Sequence, residues 1–171
     1  MHGIVILCAT MPIYITMSYI TTQLAITNPT HHDLIPFYSE FAVYTIPVIL
    51  IVAIIICAIT RPDYDLLFKR LALMFFLKGV AQILTITPQP DGVEECIGNS
   101  IWQLNYCADM MFSGHTATVY LLLYKFKYRY FLAFFMGFEL VMANWHYMVD
   151  IFIAFIVSYA IEKKLYSESY L

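Results

Sequence analysis

Charge is what this sequence has least of. Asp, Glu, Lys and Arg make up only 12% of the 171 residues, against 61% hydrophobic. A soluble core cannot account for that much apolar surface, so the composition excludes an ordinary water-soluble domain and points to an integral membrane protein. A formal net charge of −3 gives no reason to expect a nucleic-acid partner. Internal repeats, Gly/Ser linkers and low-complexity tracts are also missing, so one membrane domain is expected over residues 1–171, with no soluble domain ahead of it. The first apolar run has no basic leader and no small-x-small exit, and Tyr14, Tyr19 and Gln23 dilute its middle, which argues for a retained helix over a cleaved signal peptide. No Walker-type glycine loop occurs and no cage of metal ligands, so no metal or cofactor is expected.

Long apolar runs are what is there. Residues 4–26 and 41–60 are uncharged stretches of 23 and 20 residues, each long enough at about 1.5 Å per residue to cross roughly 30 Å of hydrocarbon. Four further runs complete the reading. Residues 66–87 carry Lys69, Arg70 and Lys78; 110–126 and 130–145 are shorter; 146–161 hold Asp150. Together they give an all-α, polytopic membrane protein of six transmembrane helices.

The nine Lys and Arg residues set its orientation. Arg61, Lys69 and Arg70 follow the second run, Lys125, Lys127 and Arg129 follow the fourth, and Lys163 and Lys164 follow the sixth; loops 28–40 and 88–109 and the turn at Trp145 have none. This is a positive-inside pattern with both termini cytosolic. It brings the stretch 107–116, C-A-D-M-M-F-S-G-H-T, and the stretch 146–150, H-Y-M-V-D, to one non-cytosolic level. Cys96 and Cys107 fall on that side too, where an oxidising compartment permits a disulfide. Cys8 and Cys57 are expected to be buried hydrophobes.

Chemistry concentrates in those two stretches. His146 and Asp150 are four apart, which on a helix stacks them on one face. The carboxylate can then fix the imidazole tautomer and leave the other ring nitrogen as base or nucleophile; the competing reading is a structural clasp between helices. His115 follows Ser113 and Gly114. It reads either as a polar cap or, with the hydroxyl, the glycine and the free N–H donors of a first helical turn, as part of a phosphate site. Two histidines facing one phosphorus allow in-line displacement, one attacking and the other protonating the leaving oxygen. Lys78 lies well inside its run, either snorkelling or facing the pocket. Tyr14, Tyr19, Phe112 and Trp145 either bracket acyl chains or belong to interfacial belts.

C-A-D-x3-S-G-H-T followed by H-Y-x2-D resembles the paired motifs of the sphingomyelin synthase family, within the lipid phosphatase and phosphotransferase superfamily. The likeness extends upstream through K-R at 69–70, Lys78 where that family has Arg, and T-P-Q-P, and it covers residues 69–160. It implies a catalytic triad of His115, His146 and Asp150. The aspartate-held histidine attacks a phospholipid, diacylglycerol leaves, and a ceramide-like acceptor takes the head group. It further implies substrate contacts from Asp109, Ser113, Gly114, Lys78 and Tyr147, and a lumenal or extracellular site in Golgi or plasma membrane. Asp109 reads equally as a helix cap. Ala108, Met148 and Lys78 depart from the family's Gly, Thr and Arg, and D-L-I-P-F-Y stands in place of its Pro-Leu-Pro-Asp turn.

Alternatives divide on the acceptor and on catalysis itself. A lipid phosphate phosphatase would use water, but its Lys-x6-Arg-Pro element is absent and Leu140 occupies the position of its arginine before the second histidine. Phospholipase C-like hydrolysis of a diester stays open. So does a non-enzymatic scaffold or a transporter, although related halves and broken midplane spans are missing.

Overall fold

Among the described residues six α-helices form, in the order α1 (His2–Ile26), α2 (Glu40–Thr60), α3 (Tyr64–Leu84), α4 (Gly114–Leu122), α5 (Arg129–Met142) and α6 (Met148–Glu168). The computed structural model describes residues 2–26, 40–85, 111–143 and 145–168, and among these there is no strand. Asp109, Ala108, Cys96, Cys107, the T-P-Q-P turn and the D-L-I-P-F-Y stretch lie outside the described residues.

Local chemistry explains the α2–α3 corner. Helix α2 ends at Thr60, and Arg61 takes φ 45°, the left-handed conformation that often closes a helix. Pro62 then cannot continue it. Asp63 starts α3 by accepting the N–H groups of Asp65 at 3.1 Å and Leu66 at 3.2 Å.

Pairs between helices show that directions alternate. Gly3 N–H donates to Asp65 Oδ1 at 2.8 Å and the Ser18 hydroxyl donates to Gln82 Oε1 at 2.8 Å, so α1 and α3 run parallel. Contacts of Arg70 with Tyr124 and of Lys78 with Phe112 set α4 antiparallel to α3. Ser113 meets Asp150 and Tyr120 meets Glu162, which makes α6 parallel to α4. Arg129 on Glu162 and Gly137 against Ile151 make α5 antiparallel to α6. One end of the bundle thus gathers the starts of α4 and α6, and the other gathers eight of the nine Lys and Arg residues, all but Lys78.

The surface is apolar, and a largely apolar interior also encloses several polar side chains. Phe41, Tyr44, Ile59, Leu84, Phe131 and Ile156 are each two-thirds or more exposed, while Ser18, Arg70, Lys78, Gln82, Ser113, Thr116, His146 and Asp150 are buried. So much exposed apolar surface, with charged side chains buried, suits a hydrocarbon surround. Among the described residues, two stretches are long and apolar enough to cross a membrane by length and composition, His2–Ile20 and Phe41–Thr60. Helices α4 and α5 have 9 and 14 residues, fewer than the roughly 20 that span a bilayer. Cys57 is buried as expected, but Cys8 is exposed, because its side of α1 faces away from α3.

Candidate active site

The two motif stretches meet where α4 and α6 begin. Ser113 N-caps α4: its Oγ accepts the Thr116 N–H at 3.2 Å. Its own N–H donates to the Asp150 carbonyl at 3.1 Å, which ties the first turn of α4 to that of α6. Phe112, just before the cap, holds φ 37°, unusual for a bulky residue. Its carbonyl accepts Lys78 Nζ at 2.7 Å. The lysine is 1% exposed, and its stem passes so close to Gly114 that a Cβ there would sit 3.1 Å from Lys78 Cδ and Cε. A glycine at 114 therefore lets the helix start lie against the lysine.

His146 differs from its expected setting. It precedes α6, which starts at Met148, so His146 and Asp150 are not both helical. They still meet, with Nδ1 3.5 Å from Asp150 Oδ2. That contact is electrostatic and longer than a strong hydrogen bond, and Nδ1 makes no hydrogen bond among the described residues. The Asp150 Oδ2 atom instead accepts the Tyr147 N–H at 3.0 Å. Asp150 is the third helical residue and reaches back to the residue before the helix, as the acid of a capping box does. One carboxylate thus starts α6 and faces the histidine. Catalytic contacts of this kind commonly tighten once substrate is bound.

His115 occupies the second position of α4, is exposed, and its ring lies 6.5 Å from that of Trp145, the neighbour of His146. Ser113, Gly114, His115, Lys78, His146, Tyr147 and Asp150 are therefore brought to one end of the bundle; Asp109 lies outside the described residues. Two further features were assigned no role from the sequence. Thr116 Oγ1 is buried beside the helix start without a hydrogen-bond partner among the described residues. Glu139, the lone acid of α5, is buried and accepts the Thr45 hydroxyl at 2.7 Å across to α2. An isolated acid within an apolar run was its only trace in the sequence.

This geometry offers an imidazole beside a carboxylate, a second histidine, and a helix start with a nearby ammonium, which together suit attack on a phosphate ester. Residues 106–167 match the family model described as PAP2 superfamily C-terminal. The matched segment contains every described motif residue except Lys78. It supports the superfamily of lipid phosphatases and phosphotransferases, and with it an enzyme acting on phosphate esters at a membrane, without singling out a branch. No curated protein and no solved structure matches the chain.

Proposed function

We propose that the chain is a membrane phosphotransferase that moves a phospholipid head group, phosphocholine or phosphoethanolamine, to ceramide or a similar lipid alcohol. The observation that carries this reading is the Ser113–Asp150 link, which holds both histidine motifs at one end of a helix bundle with an apolar exterior. His146 Nδ1 faces Asp150, which leaves Nε2 to attack phosphorus. An N–P bond forms as the P–O bond to diacylglycerol breaks, and the departing oxygen takes its proton from His115. The acceptor hydroxyl then gives its proton to His115, its oxygen attacks phosphorus, and the N–P bond breaks. Lys78, Gly114, Ser113 and Tyr147 shape the phosphate side, Asp109 is assigned to the head-group cation by the resemblance, and no metal takes part. The chain crosses the membrane six times with both termini cytosolic, in Golgi or plasma membrane, its site lumenal or extracellular. Alternating helix directions and the gathering of basic residues at the far end support that topology.

Water could replace the lipid acceptor on the same intermediate. The exposure of His115 favours this hydrolytic second reading. A lipidomic assay with head-group-labelled phosphatidylcholine and phosphatidylethanolamine plus ceramide decides between them. Label on ceramide with matching diacylglycerol supports transfer, water-soluble label alone supports hydrolysis, and neither from folded protein removes the enzymatic reading.

A further inference from the structure

The far end of the bundle holds a buried cation that the proposed reaction does not use. Arg70 is 1% exposed, and its Nε and Nη1 have no hydrogen-bond partner among the described residues. The Tyr124 ring lies over the guanidinium, 4.5 Å from Cζ, but a ring on the face leaves the in-plane N–H donors unsatisfied. Glu162, Arg129 and Asp63 lie within electrostatic reach of it. Both carboxylates are engaged elsewhere. Glu162 accepts Arg129 at 2.9 Å through Oε1 and the Tyr120 hydroxyl at 3.1 Å through Oε2, and Asp63 caps α3. Lys125 and Lys127 are exposed in the turn carrying Tyr124, and Lys125 Nζ donates to the carbonyl of Arg61, itself exposed. The cluster therefore carries a surplus of positive charge around buried, unsatisfied N–H donors.

We propose that Arg70 marks a second binding site, distinct from the histidine end, that takes a phosphate group, either from an anionic lipid head group or as inorganic phosphate. Depth fits this ligand: Arg70 is six residues into α3, about 9 Å from its start, where head groups meet hydrocarbon. Being enclosed by protein, the side chain does not snorkel to water. A planar set of donors suits a phosphate better than a point charge would.

Native mass spectrometry and thermal melting of the full chain in neutral detergent test this, with phosphatidic acid, phosphatidylcholine and inorganic phosphate as separate probes. Wild type and His146→Ala should both retain one phosphatidic acid and melt higher with it, whereas Arg70→Gln should bind it at least about tenfold more weakly and leave phosphatidylcholine binding unchanged. Arg70→Lys keeps the charge without the planar donors; it should fold even if Arg70→Gln does not, and should also bind more weakly. Stabilisation by inorganic phosphate that competes with the lipid assigns the site to the free anion, and stabilisation by phosphatidic acid alone assigns it to the membrane. Unchanged retention of phosphatidic acid in either Arg70 variant overturns the proposal, as does equal binding of phosphatidylcholine at this site.

Discussion

The bundle has two polar layers, and they are built on opposite principles. On α6, Asp150 and Glu162 are twelve residues apart, roughly 18 Å along the helix, and each anchors one layer. At the far end Glu162 spends both oxygens, on Arg129 and Tyr120, and Arg129 also donates to the Tyr124 carbonyl at 2.6 Å and the Tyr130 hydroxyl at 2.9 Å. At the other end Asp150 also caps its own helix, but His146 Nδ1 sits 3.5 Å away without a hydrogen bond, and Thr116 Oγ1 is buried without a partner among the described residues. A satisfied buried network fixes the fold, whereas groups left unsatisfied in an apolar interior are costly and are kept where chemistry uses them. Arg70 and the Ser158 hydroxyl are exceptions toward the far end, and a ligand is proposed for the arginine because it carries charge.

Substitutions can break the contrast. The largest effect on turnover should come from the histidine layer: His146→Ala or His115→Ala lowers head-group transfer by about 10³-fold or more, while helical content by circular dichroism is unchanged. The double variant should be no slower than the worse single one, because both groups serve one step. Asp150→Asn should leave slow residual transfer and also lower the melting temperature, since it weakens the α6 cap.

In the far layer the order reverses. Glu162→Gln removes the counter-charge of Arg129, whose side chain is 13% exposed, and should cost about 3 kcal/mol of stability. Measured by denaturation in detergent, that loss should come with little change in the turnover of the protein that remains folded. Equal effects on stability and turnover in both layers would erase the distinction.

Gly114→Ala sharpens it on a smaller scale. Its Cβ would press on the Lys78 stem at 3.1 Å, displacing the lysine from the Phe112 carbonyl by a few tenths of an ångström. Turnover should fall several-fold, with a stability change below about 1 kcal/mol.

How much of this was legible in the sequence depends on the kind of interaction. Helix α2 begins within a residue of the apolar run and ends with it, because in that segment hydropathy alone sets the limits. Helix α4 is shorter than the run 110–126, since Ser113 caps it and turns follow Leu122. His146 was read as helical, yet the Asp150 carboxylate takes the Tyr147 N–H and starts the helix after it. The four-residue spacing brought the pair together for a different reason than helical stacking. Pairings such as Thr45 with Glu139 or Arg70 with Tyr124 join distant segments, and no local period encodes them.

The smallest expected effect is a pH dependence at the far end. The Gly3 N–H, then Lys69, hold the Asp65 carboxyl far below the usual carboxylate range. A depressed folded-state pKa stabilises above the unfolded value, and the benefit is lost as pH falls through the folded one. Asp65→Asn should therefore melt lower than wild type near neutrality, with the gap starting to close below about pH 4. A gap independent of pH down to the acid limit would show that the carboxylate charge contributes nothing.

The central claim is that His146 carries the head group between two lipids. Phosphorus-labelled phosphatidylcholine, incubated with the protein without acceptor and quenched in base, should leave an acid-labile adduct on the peptide containing His146, absent in His146→Ala and discharged by ceramide. Transfer that proceeds with no adduct, or with the label on His115, contradicts the account.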